Sequence, residues 1–322
     1  ISEEDLKSYQ PKERTPLTGT YRGHDIIAAP LPSSGGIGIL QMMGMLDRVQ
    51  YEKSGAGSAQ TAHFLAEAMK RFYADRAEFL GDPDFAEVPV RTLLSAKYIA
   101  AQAATIDALR ATPAAQIKHG VIAPGEESPE TTHLSIVDAK GNAVSLTYTL
   151  NGGYGSGVTV PGLGFLLNNE MDDFSAKPGT ANMFGAVGGE ANAIQPGKRM
   201  LSSMTPTIVL KDGKLFLVIG APGGTRIITG VMQAILNVID FKMNMQEAID
   251  APRLHHQWSP DSLATSSTPT EADSFGSKRP TNHATCRAER SKLPPALAST
   301  KRKPSGTCCS NWTFSIAAGP GF

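Results

Sequence analysis

The sequence lacks the features that mark several large classes of proteins. Its three cysteines, Cys286, Cys308 and Cys309, all lie near the C-terminus, so the body of the chain has neither a disulfide framework nor thiol chemistry. Basic and acidic residues number 30 each, and no net charge favours nucleic acid or an acidic membrane. No apolar run approaches the roughly 20 residues that a bilayer span requires. None of the histidines has a spacing typical of zinc ligands.

The region around residue 140 is predicted to form a β-hairpin. Polar and apolar side chains alternate on both sides of residues 138–142, which are typical of a hairpin loop. Pairing about Lys140 sets Thr131 opposite Thr149, and strict alternation then separates two faces. The polar face contains Thr131, His133, Ser135, Ser145, Thr147, Thr149 and Asn151. The apolar face contains Thr132, Leu134, Ile136, Val144, Leu146, Tyr148 and Leu150.

The polar face has two interpretations. In the first, the hairpin lies at the protein surface and this face contacts water. In the second, cleavage before Thr131 makes this threonine a nucleophile. Its hydroxyl needs a base, and a freed α-amine, with a pKa of about 8, accepts a proton at neutral pH, whereas an amide nitrogen does not. Thr149, across the ribbon, would hold the Thr131 hydroxyl by a hydrogen bond.

Three later segments also have a structural and a functional interpretation. Gly223 and Gly224 precede a predicted helix, where they form a tight turn or leave backbone N–H groups available to stabilise an oxyanion. The acids of residues 170–173 form a solvated loop or helix start, or they bind a cationic group of a substrate. Residues 177–189, with Phe184, form a surface loop or a lid over a site.

Several motifs, occurring in one order over about residues 1–258, resemble those of the γ-glutamyltransferases (γ-glutamyl transpeptidases, or glutathione hydrolases). These enzymes are N-terminal-nucleophile hydrolases that cut themselves before a Thr-Thr-His or similar triplet, here residues 131–133. The other motifs are Glu-Arg-Thr-Pro (13–16), Pro-Ser-Ser-Gly-Gly (32–36), Tyr-Ala-Asp-Arg (73–76), Leu-Gly-Asp-Pro (80–83), Asn-Asn-Glu-Met-Asp-Asp-Phe (168–174), Leu-Ser-Ser-Met (201–204) and Pro-Gly-Gly (222–224).

The resemblance implies a fold, a cleavage site and a set of site residues. The fold is α+β, a four-layer αββα sandwich, and the cleavage site is the bond between Glu130 and Thr131. Residues 1–130 would form the C-terminal part of a large subunit and residues 131–258 a small subunit, together a heterodimer. The implied catalytic residues are Thr131, Thr149, Gly223 and Gly224. The implied substrate-binding residues are Asn151, Glu170 and Asp173, at the amino-acid end of the donor, and Ser202 and Ser203, at its carboxylate.

The implied reaction is acyl transfer from glutathione or another γ-glutamyl compound, through a threonyl ester, to water or to an amino acid or peptide acceptor. The resemblance implies no metal, no organic cofactor and no nucleic acid, and it suggests the periplasm or the cell exterior. The nearest alternative is a cephalosporin or glutaryl acylase of the same fold, although acids at 170 and 173 favour a donor with an α-ammonium group. A catalytically inactive fragment is a further alternative.

The two ends of the chain depart from the family pattern. The chain begins at Ile1 without a methionine, which suggests truncation, and the motif of the family's carboxylate-binding arginine is missing. Residues 259–322 are rich in Ser, Thr, Pro, Lys and Arg and show no periodicity, which predicts an aberrant tail without fixed structure. A frameshifted C-terminus is our hypothesis for this tail. Its basic clusters lack interleaved aromatics, which argues against nucleic-acid binding.

Overall fold

The computed structural model of the chain describes residues 2–117 and 131–266, and the backbone of residues 315–318. In these residues the α-helices are α1 (Glu3–Ser8), α2 (Gly35–Val49), α3 (Ala59–Phe79), α4 (Val90–Leu93), α5 (Ala96–Ala104), α6 (Arg226–Ile239) and α7 (Met245–Asp250). The strands are β1 (Leu17–Tyr21), β2 (His24–Ala28), β3 (Thr132–Val137), β4 (Ala143–Tyr148), β5 (Thr207–Lys211), β6 (Lys214–Gly220), β7 (Arg253–His255), β8 (Ala264–Ser266) and β9 (Ser315–Ala318).

Four of the described helices, α1, α3, α5 and α7, begin at a residue whose side chain caps the helix. Ser58 accepts a hydrogen bond from the backbone N–H of Thr61 at 3.0 Å and so starts α3. Helix α6 is buried on all sides, since each of its residues apart from Arg226 and Asn237 is buried. A helix that is apolar around its whole circumference belongs in the interior of a protein. Helix α6 is therefore the central helix of the core.

The main sheet has five antiparallel strands in the order β1-β2-β5-β6-β9. The sequence of residues 19–29 suggests a single strand, but this segment belongs to the hairpin β1–β2. The reversal occurs at Arg22 and Gly23, whose φ angles are 46° and 76°. Strand β2 then pairs with β5, from His24 opposite Lys211 to Ala28 opposite Thr207.

The elements stack in three layers. Helices α2 and α6 pack against one face of the main sheet, and α3 packs beside α2. The core between these helices and the sheet includes Ile26, Val209, Leu217 and Ile219, all fully buried. The hairpin β3–β4 packs against the opposite face of the sheet, over β6 and β9. The described residues thus form a helical layer, a sheet and a second, two-stranded sheet.

The predicted register of the β3–β4 hairpin is confirmed, with His133 opposite Thr147 and Ser135 opposite Ser145. Its orientation is the reverse of the surface-hairpin interpretation, because the polar face points inward. The Ser145 hydroxyl donates to the carbonyl oxygen of Ile219 at 3.1 Å. The apolar side chains instead face outward, with 45–55% of each exposed: Leu134, Ile136, Val144, Leu146 and Tyr148.

Two short strands lie in the tail for which we predicted no regular structure. Strand β8 pairs with β7, and β9 pairs with the edge of β6. The cysteines and the basic clusters of the tail lie outside the described residues. Within the described part of the chain, no helix combines the length and the apolar character needed to cross a bilayer.

Candidate active site

A cavity opens where the start of β3, the end of β4 and the N-terminus of α6 meet. Of the predicted site residues, the cavity brings together Thr131, Thr149, Asn151, Asp173, Ser202, Ser203 and Gly224. Its other lining residues are Arg76, Asn182, Phe184, Met204, Thr225 and Ile227. Glu170 and Gly223 lie near the cavity in sequence but do not line it, and Glu130 lies outside the described residues.

The hydroxyl groups of Thr131 and Thr149 contact each other across the hairpin, as predicted. Thr131 Oγ1 donates to Thr149 Oγ1 at 3.5 Å. The Thr149 oxygen also accepts a hydrogen bond from the backbone N–H of Asn151 at 2.8 Å. Because that N–H belongs to the backbone, it fixes the position of the Thr149 hydroxyl, which in turn holds the Thr131 hydroxyl at the cavity wall.

His133 fills the space between the hairpin and the main sheet. Its Nδ1 lies 2.7 Å from Thr147 Oγ1 and its Nε2 lies 3.0 Å from Ser135 Oγ. Burial lowers the pKa of His133 to about 4, so the ring is neutral at pH 7. A Cβ at Gly220 of β6 would lie 2.2 Å from the ring, and only glycine therefore leaves room for it. This packing positions the start of β3, and with it Thr131.

Asn151 supports the loop beside the cavity. It is 3% exposed, and its φ of 73° lies in the left-handed region, which asparagine tolerates better than most residues. Its amide Nδ2 donates to the carbonyl oxygen of Asn169 at 3.2 Å. The side chain of Asn169 accepts in turn from the backbone N–H of Gly152 at 2.8 Å. The cavity wall is therefore tied to the turn that precedes the acidic segment.

The acidic segment forms a short 3₁₀ helix, Glu170–Asp173, at the cavity. Burial raises the pKa of Asp173 to about 7, with Asp172 adding to the rise and Arg76 opposing it. Burial also raises the pKa of Glu170 to about 7, and the charge of Asp173 contributes. A carboxylate that burial makes costly to ionise favours a neighbouring cationic group, because that group would compensate its charge, and of these two acids Asp173 is the one that lines the cavity.

Ser202 and Ser203 form the opposite wall. Their segment pairs with the Pro-Ser-Ser-Gly-Gly motif: the backbone N–H of Ser34 donates to Ser202 O at 2.8 Å, and the N–H of Ser202 donates to Pro32 O at 2.8 Å. Gly35 allows this close approach, since a Cβ there would lie 2.3 Å from Thr205 Oγ1. The motif at 32–36 thus supports the two serines from behind.

Gly223 and Gly224 lie at the start of α6 with φ angles of 132° and 55°. Thr225 occupies the N-cap position, but its side chain does not cap the helix; its hydroxyl donates to Gln257 Oε1 at 2.8 Å. The backbone at this helix start therefore has no side-chain cap from Thr225 and faces the cavity at Gly224. Partial positive charge at a helix N-terminus suits a developing oxyanion.

The loop at 177–189 forms one wall of the cavity. Asn182 Nδ2 donates to Asp173 Oδ1 at 3.4 Å, and the backbone N–H of Met183 donates to Asp172 Oδ2 at 3.0 Å. The buried ring of Phe184 covers Gly224 so closely that a Cβ there would lie 2.7 Å from it. The acidic segment therefore fixes this loop at the site.

Arg76 lines the cavity, although the sequence did not predict it as a site residue. The motif Tyr-Ala-Asp-Arg was recognised, but its spacing fits an ordinary helix and assigns no role to the arginine. In the structure its guanidinium Nη2 donates to Ser203 Oγ at 3.1 Å. Asn182, Met204, Thr225 and Ile227 also line the cavity without having been predicted.

Comparisons with known proteins identify the family of the chain. The chain is 53% identical over 263 residues to the glutathione hydrolase proenzyme of Escherichia coli (strain K12), a match that covers 82% of this chain and 45% of that protein. It is 41% identical over 254 residues to the acylase ACY 1 proenzyme of Pseudomonas sp. (strain SE83), which covers 79% of this chain and 43% of that protein. The chain thus spans less than half the length of these curated relatives.

Among solved structures, the cephalosporin acylase from Bacillus halodurans superposes with a TM-score of 0.65 at 28% identity, over 80% of this chain and 43% of that chain. This likeness and the mixed layers described above confirm the predicted α+β fold of the N-terminal-nucleophile hydrolases. The family model for gamma-glutamyltranspeptidase matches residues 1–277. With that match over most of its length, the chain belongs to the γ-glutamyltranspeptidase family.

Proposed function

We propose that this chain acts as a self-processing γ-glutamyltransferase and glutathione hydrolase. The observation that carries the proposal is the placement of Thr131 Oγ1, 3.5 Å from Thr149 Oγ1, in a cavity that Asp173 and Ser203 also line. A γ-glutamyl group presents an α-ammonium and an α-carboxylate. A buried acid on one wall and hydroxyl donors on another match these two charges.

Processing would use the same hydroxyl as catalysis. The Thr131 oxygen attacks the carbonyl carbon of Glu130, and the peptide C–N bond breaks as the acyl group shifts from nitrogen to oxygen. Water then hydrolyses the ester, which leaves Glu130 with a carboxylate and Thr131 with a free α-amine. The amine can accept a proton at neutral pH, so cleavage generates the base that the nucleophile needs.

Catalysis would then follow in two steps. The α-amine takes the proton of the Thr131 hydroxyl as its oxygen attacks the γ-carbonyl carbon of the donor. Backbone N–H groups at Gly223 and Gly224 stabilise the oxyanion, a contribution of roughly 3–4 kcal/mol for one donor in a tested case. The amide C–N bond breaks, the departing amine takes the proton, and a threonyl ester remains. Water or the amine of an amino acid or peptide acceptor releases the γ-glutamyl group.

The substrate-binding roles follow the charges of the cavity. Asp173, with Glu170 behind it, would bind the α-ammonium group, and Ser202 and Ser203 would bind the α-carboxylate. Asn151, whose amide already supports the loop at 169, would contact the amino-acid end of the donor from the hairpin side. We propose that residues 1–130 and 131–258 remain together as large-subunit and small-subunit parts of a heterodimer, located in the periplasm or outside the cell.

The similarity to an acylase makes hydrolysis of the amide bond of a glutaryl or cephalosporin substrate the second candidate. The two activities differ in the donor group, because a glutaryl chain has no α-ammonium for the buried acids to bind. Release of p-nitroaniline from γ-glutamyl-p-nitroanilide and from glutaryl-p-nitroanilide therefore separates them. Faster release from the glutaryl compound would reject the proposed donor class in favour of the acylase.

A denaturing gel tests self-processing directly. The unsubstituted chain should split into residues 1–130 and 131–322, and Thr131→Ala should stay whole because it has no hydroxyl. Thr132→Ala is the matched control: its side chain lies on the exposed face of the hairpin, and cleavage should continue. If Thr131→Ala still splits at the same bond, the self-cleavage mechanism is wrong.

A further inference from the structure

The guanidinium of Arg76 lies beneath the cavity, on the helix α3 side. The residue is 6% exposed, and its side chain reaches two serines from different parts of the chain. Nε donates to Ser34 Oγ at 3.0 Å, and Nη2 donates to Ser203 Oγ at 3.1 Å. Arginine holds its donors in a rigid planar fork, so these two contacts fix the relative positions of both hydroxyl groups.

Through Ser34 the same guanidinium also reaches Ser202. The hydroxyl of Ser34 donates to the carbonyl oxygen of Ser202 at 2.8 Å. It can do so because it accepts from Arg76 and keeps its own proton for the carbonyl. One buried cation thus anchors the backbone of Ser202 and the side chain of Ser203.

The direction of these hydrogen bonds sets what the two cavity serines can offer to a ligand. A hydroxyl has one proton to donate and two lone pairs to accept with. Ser203 Oγ accepts from Arg76, and Ser202 Oγ accepts from the backbone N–H of Met204 at 3.0 Å. Neither contact uses the hydroxyl proton. Both hydroxyl groups therefore keep a proton that they can donate to a ligand, and an anionic ligand needs such hydrogen-bond donors.

Side chains of opposite charge line the cavity. Arg76 and Asp173 both line it, and the Asp173 charge favours the protonated arginine although burial lowers the Arg76 pKa. The guanidinium side, with Ser203 in front of it, attracts an anion, and the Asp173 side attracts a cation. In a partly buried site these attractions are stronger than in water.

We infer that Arg76 is a positioning residue that orients the Ser203 hydroxyl, and through Ser34 the Ser202 segment, toward the α-carboxylate of the γ-glutamyl donor. The inference rests on the proposed function and adds a residue to it. Arg76 does not itself contact the reacting atoms. It acts on donor affinity, and self-cleavage at Thr131 does not depend on it.

Two inhibitors that resemble the product glutamate, each without one of its charged groups, test the binding of the α-carboxylate and of the α-ammonium separately. Glutarate keeps the carboxylate and lacks the amine, whereas 4-aminobutyrate keeps the amine and lacks that carboxylate. In Arg76→Gln, we expect the KM for γ-glutamyl-p-nitroanilide and the inhibition constant of glutarate to rise about 10- to 100-fold, the range for loss of one hydrogen bond involving a charged group. The inhibition constant of 4-aminobutyrate and the kcat should change little. In Asp173→Asn, the inhibition constant of 4-aminobutyrate should rise and that of glutarate should change little.

Two further variants keep the test independent of folding. Arg76→Lys retains the charge and should recover part of the glutarate affinity, and Arg91→Gln, at an exposed arginine on α4, controls for loss of a cation. Ser203→Ala should also weaken glutarate binding, and the double variant should lose less affinity than the sum of the two single losses, because Arg76 acts in part through Ser203. The extent of self-cleavage reports folding in each variant.

Equal weakening of glutarate and 4-aminobutyrate in both Arg76 variants would overturn the inference, as would additive effects of Arg76→Gln and Ser203→Ala. An Arg76 variant that neither folds nor cleaves in either form would also overturn it, since the role would then be structural. If the unsubstituted protein fails to release p-nitroaniline from the γ-glutamyl donor, the proposed function fails, and this inference with it. Normal turnover by the unsubstituted protein, with unchanged affinities in the Arg76 variants, rejects the inference alone.

Discussion

The Thr149 hydroxyl lies between the Thr131 hydroxyl, 3.5 Å away, and the backbone N–H of Asn151, 2.8 Å away. Replacing Thr149 with alanine removes the acceptor that holds the proposed nucleophile. We expect Thr149→Ala to slow self-cleavage by up to about tenfold, the equivalent of one hydrogen bond of 0.5–1.5 kcal/mol. Thr149→Ser keeps the hydroxyl and should cleave at nearly the normal rate. The time course of the two fragments on a denaturing gel gives both rates, and an unaffected Thr149→Ala would contradict this role.

Stability should fall as the pH rises through neutrality. The ordinary pKa of Asp173 is 3.8, and burial raises it to about 7 in the folded protein. The folded state therefore binds more protons than the unfolded state between these values, and its contribution to stability is lost as the pH rises through about 7. We expect a lower thermal midpoint at pH 8 than at pH 5.5, and a smaller difference in Asp173→Asn. An identical pH dependence in both proteins would contradict the raised pKa.

Gly224 combines two constraints that can be separated by substitution. Its φ is 55°, and a Cβ there would lie 2.7 Å from the Phe184 ring. Gly23→Ala is the control, because its φ of 76° is also left-handed but no atom lies within 4 Å of a Cβ. Both variants should lose roughly 1–2 kcal/mol of unfolding free energy from the backbone. Only Gly224→Ala should also displace Phe184 and reduce turnover; equal turnover in the two variants would argue against a role for this close contact.

A buried ionic cluster anchors the segment that precedes the proposed cleavage site. Glu67 contacts Lys70 at 2.5 Å and Arg71 at 2.6 Å, and it accepts from the backbone N–H of Thr112 at 3.0 Å. Glu67→Gln leaves two buried cations without their carboxylate, and we expect a loss of about 3–5 kcal/mol in unfolding free energy.

The exposed pair Glu3–Lys7 provides the matched control for this cluster. Glu3→Gln should change the unfolding free energy by less than about 1 kcal/mol, since water screens exposed ion pairs. Urea unfolding of the two variants measures both effects. A cost for Glu67→Gln no larger than that for Glu3→Gln would show that the cluster does not stabilise this segment.

The hairpin shows how far alternation can be used for prediction. Its register follows from the period of two along a strand, and the pairing of His133 with Thr147 agrees with it. Its orientation depends on β6, where Gly220 leaves room for the His133 ring and Ile219 offers a carbonyl to Ser145. That information lies more than 70 residues away along the chain, and local alternation does not contain it.

Some cavity residues could be predicted because a short motif indicates their chemistry. Others could not, because their contacts arise only when distant segments pack together. Two threonines opposite each other, or paired glycines before a helix, can be recognised in a sequence. Arg76 lies 127 residues from Ser203, and nothing in the pattern of α3 distinguishes its role from that of a surface arginine. Its contact exists only because the segment at 32–36 brings α3 and the serines together.

The order of the main sheet has a consequence for a chain that is cut before Thr131. Strands β1 and β2 precede that bond and β5 and β6 follow it, yet β2 and β5 are neighbours. Breaking the bond removes none of the hydrogen bonds between them, and α3 and α6 stay packed in one interior. We expect the two pieces to co-elute as a single species in native gel filtration and to separate only in denaturant. The backbone is thus interleaved across the proposed cleavage site, and the fold would hold both products together without a covalent link.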